Sequence, residues 1–155
     1  MTGVLDVGGG LHPLSRAEAV IDSNSFENAL DPIGDKPAHY SRDSWTVHDV
    51  NDRKGLPFKD KEFDFVFCSY LLEDVRDPIF VCQELQRVGK RGYIETPSRA
   101  EESAVGVQSD YFPGYLHHRW YVEKSRDGLV CHFFGRGRFR LRKSCFITGR
   151  KSSTN

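Results

Sequence analysis

In VLDVGGGLHPLSRAEAVID, Val4 to Asp22, two strand-like segments stand only 11 residues apart, from Gly8 to Glu18. The continuous apolar character of VLDV suits a parallel strand covered on both faces. Reaching a parallel neighbour ordinarily takes a crossover of about a dozen residues or more. A full helix does not fit in this link. At most one turn, begun at Pro13 and running through Ser15 to Glu18, is expected before Ala19 enters the second strand. One face of the sheet is then left for residues 23–43, the C-terminal section, a protein partner or a second copy of the chain to cover.

Further along, Gly3–Val7, Ala19–Asp22, Ser44–His48, Phe63–Cys68 and Gly92–Glu95 read as strands from their β-branched and aromatic content between turn residues. Residues 23–43, with Pro32, Gly34 and Pro37, read as loop plus one turn of helix. The clearest helix is Pro78–Val88. Asp77 is placed to cap it, Pro78 takes the first position, Val81, Leu85 and Val88 recur at helical spacing, and Gly89 closes it. Residues 99–117 read as a loop or lid. His118–Glu123 and Leu129–Phe134 flank the turn KSRDG as a hairpin, and Phe139–Ile147 is expected as a last antiparallel strand. The order predicts an α/β, Rossmann-like fold: a mostly parallel sheet passing into an antiparallel C-terminal hairpin.

At 155 residues the chain has the length of one domain and would bury roughly 70% of its unfolded surface. Its apolar runs fall far below the ~18 residues of a membrane span, and no basic region precedes VLDV as in a secretory leader. A soluble, cytoplasmic protein without a membrane partner is expected. Cys68, Cys82, Cys131 and Cys145 show no metal-ligand spacing, so buried thiols are expected and no metal site.

Strand, glycine loop, then an acid ending the next strand is the arrangement of a nucleotide-type site at the carboxyl edge of a parallel sheet. Glycines let the backbone approach a ligand, and Asp22 is expected to accept from both hydroxyls of a ribose. Asp49, after the third strand, can accept from an exocyclic adenine amine. A nicotinamide fingerprint fails because Pro13 stands at its third glycine position, and no GK[ST] follows for a P-loop.

The ordered series VLDVGGG, VID, HDVNDRKGLPFKDKEFDFVFCSYLLEDVRDP and QELQRVGKRGYIETPS resembles the class I S-adenosylmethionine-dependent methyltransferases over roughly Val4–Ser98. The resemblance implies S-adenosyl-L-methionine as cofactor. It places Gly8, Gly9 and Gly10 beneath the methionine portion, with Asp6 shaping that loop or meeting the methionyl ammonium. Asp22 becomes the ribose acid, with Ser23 beside it, and Asp49 and Val50 the adenine-side pair. Ser69, Tyr70 and Leu71 fall where the family holds the methionine moiety and faces the methyl group. Where the family commonly has Glu-His, this chain has Glu73-Asp74. The family often has helices ahead of the first strand that close over the cofactor; here Met1 stands almost against that strand. The chain is expected to be a single domain, with a cofactor half at about 1–98 and a substrate-side section at about 99–155.

Methyl transfer is an in-line displacement, aided by a general base when the acceptor must shed a proton. His117 and His118, amid the aromatics of DYFPGYLHHRWYVE, are the candidates for that role, with Tyr70 and Glu73 behind them; the alternative for the histidine pair is a strand start packed among aromatics. Glu95 and Asp64 read as structural acids. The expected acceptor is a small molecule or glycan-like compound. Residues 135–155 hold seven basic groups and no acid, against 15 basic and 22 acidic side chains before them. That tail leaves open a nucleic-acid methyltransferase, and a binding protein without turnover is the further alternative.

Overall fold

A computed structural model describes residues 3–34, 38–126, 128–133 and 142–145. The chain divides into two compact units, Met1–Thr96 and Pro97–Asn155. The first holds β1 (Val4–Val7), β2 (Ala19–Asp22), β3 (Trp45–Val47), β4 (Phe65–Ser69), α1 (Pro78–Val88) and β5 (Gly92–Glu95). All five strands form one parallel sheet in the order β3-β2-β1-β4-β5. The order reverses at β1, where a doubly wound sheet opens a crevice at the carboxyl ends of its strands.

The first crossover is shorter in helix than the sequence suggests, since Ser15–Glu18 forms no helical turn. Its backbone donors are taken elsewhere. The Leu14 amide donates to Asp6 Oδ2 at 2.7 Å, Ser15 to the Ile33 carbonyl at 3.0 Å, and Glu18 to the Val4 carbonyl at 2.9 Å. Of these only the Glu18 amide would enter a ladder begun at Pro13, since the first amides of a helix have no partner within it. The face left bare is covered from within the chain. Phe26, Ala29 and Tyr40 pack with Val4 and Leu14 against buried Ala17, Val20 and Trp45, and the Phe26 and Tyr40 rings meet Trp45 edge-on at 5.8 and 6.0 Å. Of the four covers left open by the sequence, described residues of the segment 23–43 occupy this face, with one 3-10 turn at Phe26–Asn28 and another at Arg42–Ser44.

α1 has the predicted bounds. Asp77 Oδ1 accepts from the amides of Ile79 and Phe80 at 3.1 and 3.2 Å, and Pro78 needs no partner at the first position. Val81, Cys82, Leu85 and Val88 are buried. At its end Gly89 lies so close to β4 that an added Cβ would stand 2.5 Å from Val66 Cγ2. Asp77→Ala, which removes both cap bonds, is expected to lower stability by about 1 kcal/mol, read as a lower midpoint in urea.

The LPF segment before β4 is clamped onto α1. Arg87 donates to the carbonyls of Leu56 and Phe58 at 2.8 and 2.6 Å, while Glu84 Oε2 accepts from the Leu56 amide at 2.7 Å and from Arg87 at 2.7 Å. The Glu84 carboxyl beside Arg87 is held below its ordinary range. Thus LPF and ExxRV, read together as a signature, are two halves of one structural clasp.

In the second unit, α2 (Arg99–Ser103) replaces part of the expected loop 99–117 with a short helix capped by Ser98, whose Oγ accepts from the Glu101 amide at 3.2 Å. A three-stranded antiparallel sheet follows, β6 (Trp120–Ser125), β7 (Gly128–Phe133) and β8 (Arg142–Cys145), in that order. β6 begins two residues after the expected His118, so the histidine pair precedes the strand. Of the basic tail, only the backbone of Arg142 and Lys143 is described; Arg136, Arg138, Arg140, Arg150 and Lys151 lie outside the described residues. Cys68, Cys82 and Cys131 are buried, and burial together with Asp6 and Glu73 pushes the Cys68 thiol far up. Among the described residues, no helix is long and apolar enough to cross a membrane.

Candidate active site

Gly8, at the end of β1, has φ +77° and donates its amide to the Ile21 carbonyl at 2.9 Å. A Cβ there would meet the two Leu71 methyls at 2.8 and 2.9 Å, so only glycine leaves this floor open. At Gly9 a Cβ would strike Asp6 Oδ2 at 2.7 Å and the Pro13 backbone at 3.1 Å. Gly10, also left-handed at φ +55°, donates to Asp22 Oδ2 at 2.9 Å. The loop is therefore held on one side by Asp6, which fixes Leu14, and on the other by Asp22.

Asp22 ends β2 and is only 6% exposed. Its Oδ1 accepts twice from Asn24, from the amide at 2.7 Å and from Nδ2 at 2.9 Å. Asn24 is anchored in turn, because its carbonyl accepts from Trp45 Nε1 at 2.8 Å. The indole that organises the covered face thus also fixes the residue beside the acid. Asp6 is 1% exposed, and burial pushes its carboxyl up to about 6, against the Leu14 hydrogen bond that lowers it and with a further rise from Asp22.

Beyond the glycines lies a shallow, open cleft of about 120 Å³, smaller than the ~300–1,000 Å³ usual for ligand sites. Of the residues expected at the site, Gly8, Asp22, Ser23, Asp49, Val50 and Leu71 line it. His48, Asn51, Asp74 and Val75 line it too and were not expected. Asp49 Oδ1 accepts from the Asn51 amide and Nδ2, both at 2.9 Å, which holds its carboxyl below the ordinary range. The His48 amide donates to the Asp22 carbonyl at 2.8 Å, while its Nε2 is buried with no hydrogen-bond partner among the described residues.

Other expected residues sit away from the cleft lining. Asp6, Gly9 and Gly10 lie in or under the loop. Ser69 Oγ donates to Glu95 Oε2 at 3.0 Å, which ties the ends of β4 and β5 and gives Glu95 its structural place. Tyr70 is 49% exposed and has φ +51°, a costly conformation for a bulky residue, with its amide donating to the Glu95 carbonyl at 2.9 Å. Asp64, read as structural, pairs with Lys90 at 2.6 Å.

Within the second unit, His118 Nδ1 and Glu102 Oε1 are 2.5 Å apart, with both side chains nearly buried. A carboxylate only accepts, so Nδ1 carries the proton and Nε2 is left as the ring's basic atom. The Tyr115 ring stacks on His118 at 4.4 Å and its hydroxyl donates to Glu101 Oε1 at 2.8 Å. His117, exposed, meets His118 edge-on at 4.5 Å, and Gln108 Nε2 lies 3.4 Å from its Nδ1. Glu102 was not expected from the sequence. The acid is 16 positions before its histidine, a spacing that no local pattern marks.

A glycine floor that any side chain would obstruct, a buried acid ending the second strand and a buried imidazole nitrogen with no partner among the described residues together suit a nucleoside-bearing cofactor. An open parallel sheet with such a cleft at its carboxyl edge defines a Rossmann-like α/β protein of the class I methyltransferase kind. The model of the methyltransferase-domain family matches residues 14–94, slightly more than half of the chain, and the chain belongs to that family. The match starts at Leu14, just past the glycine loop and inside the shortened crossover. No curated protein and no solved structure matches the chain.

Proposed function

We propose that this protein is an S-adenosylmethionine-dependent methyltransferase acting on a small-molecule or glycan-like acceptor. The observation that carries the reading is the cleft where Gly8, Asp22, Asp49, Val50 and Leu71, drawn from the ends of four different strands, share one lining. Bound S-adenosylmethionine would supply a methyl group on a sulfonium, transferred by in-line displacement. The chain's residues would bind and orient it. Asp22 takes a ribose hydroxyl, Asp49 and Val50 border the adenine side, and Gly8 leaves the floor open for the chain of atoms leading to sulfur. For an acceptor that must lose a proton, the candidate base is His118 Nε2, with Glu102 holding the ring in the tautomer that frees it.

Calorimetric titration of S-adenosylmethionine into the full chain should show saturable heat, and Asp22→Ala should weaken binding by at least tenfold. Absence of any heat at millimolar cofactor would sink this reading. Screening acceptor pools for release of demethylated cofactor then identifies the acceptor. Glycan and small-molecule pools that yield none, beside a nucleic-acid pool that does, would overturn the acceptor assignment.

A further inference from the structure

Asp22 cannot receive both hydroxyls of a ribose as it stands. A carboxylate offers about four lone-pair sites. Gly10 takes one on Oδ2, and Asn24 takes two on Oδ1 through its amide and Nδ2. One site is left, on Oδ2. Asn24 is not readily displaced, since Trp45 Nε1 holds its carbonyl. A vicinal diol therefore brings one hydroxyl more than the acid can accept.

His48 offers what is missing. It follows β3 directly, where Val47 is the register partner of Asp22, and its amide is bonded to the Asp22 carbonyl at 2.8 Å. It lines the same cleft. Its Nε2 is buried without a hydrogen-bond partner among the described residues, a state that native structures seldom tolerate unless a ligand or water relieves it. A hydroxyl both donates and accepts, so it satisfies this nitrogen in either neutral tautomer; an adenine ring nitrogen, an acceptor only, satisfies one.

We propose that His48 is a specificity-determining residue that binds one ribose hydroxyl of the cofactor through Nε2, dividing the diol with Asp22. The imidazole turns toward the sugar as it enters. This rests on the S-adenosylmethionine reading above, and it makes the site selective for an intact ribose diol.

The probes are S-adenosylhomocysteine and its 2′-deoxy and 3′-deoxy forms, titrated into the full chain, His48→Phe and His48→Gln. Wild type should bind the parent compound and lose about tenfold in affinity for the deoxy form whose hydroxyl meets His48. His48→Phe should bind the parent about tenfold more weakly and show no further loss with that deoxy form. His48→Gln, which keeps a donor and an acceptor, should retain part of the discrimination. In parallel, the Nε2 resonance of ¹⁵N-labelled wild-type histidine should shift on binding the parent and not that deoxy form. This decides the matter even if the Phe variant does not fold. Full discrimination surviving in His48→Phe, or an unmoved Nε2 resonance at saturation, overturns the role of His48 while leaving the cofactor reading intact. Failure of wild type to bind S-adenosylhomocysteine overturns both.

Discussion

Asp6→Asn is expected to raise folding stability at pH 7 by up to about 3 kcal/mol. The carboxyl is sealed beneath the glycine loop, and burial moves it from 3.8 to about 6 in the folded protein. The folded state therefore binds this proton more tightly than the unfolded chain does. The contribution of Asp6 is most favourable below about pH 4, declines as the pH rises from about 4 to about 6, and is level above that. A shift of this size corresponds to about 3 kcal/mol. Asparagine is nearly isosteric, keeps an oxygen for the Leu14 amide and carries no charge to desolvate. Urea melts of both proteins between pH 4 and 7 should diverge as the pH rises. A constant difference across that range would show that the acid is not held up by burial. An ionisable group kept at such expense, where a neutral one would hold Leu14 as well, is what a site under functional demand looks like.

Gly8→Val should be the most damaging substitution in the glycine loop, at about 3 kcal/mol or more. Two causes act together. The residue sits at φ +77°, where an L side chain costs roughly 1–2 kcal/mol and a β-branched one is least tolerated. Its Cβ would also lie 2.8 Å from a Leu71 methyl, and overpacking of this kind typically costs about 1–3 kcal/mol. Binding of S-adenosylmethionine should fall below detection because the side chain fills the cleft floor. Adding Leu71→Ala separates the causes. It should restore the part due to the clash and none of the part due to the backbone. Complete recovery of stability in the double variant would mean the left-handed conformation carries no cost.

Much of this molecule is legible in its sequence, for reasons that differ from element to element. α1 is marked at both ends by residues whose roles are local, Asp77, Pro78 and Gly89, and its bounds come out as read. β2 and β5 likewise match, because turn residues frame short apolar runs. The glycine loop and Asp22 were readable because close backbone approach admits few residue types. His48 and Glu102 were not. One is an ordinary residue marked out by a buried nitrogen with no partner among the described residues, and the other meets its histidine only through the fold of the second unit. Nor does the sequence show that the Ser69 hydroxyl joins β4 to β5 through Glu95, a contact between residues 26 positions apart.

By itself the sequence determined that five short apolar strands alternate with loops and one strong helix, that the first connection is too short for another, and that acids and glycines collect at strand ends. These follow from spacing and backbone chemistry, which act within a few residues. Only the tertiary structure decided what covers the face the missing helix would have taken: Phe26, Ala29 and Tyr40 packed around Trp45. The same indole fixes Asn24 against Asp22, so the cover and the site are built as one. That choice depends on apolar surface from distant segments meeting in three dimensions, where the hydrophobic effect is nondirectional and leaves no periodic trace in the chain.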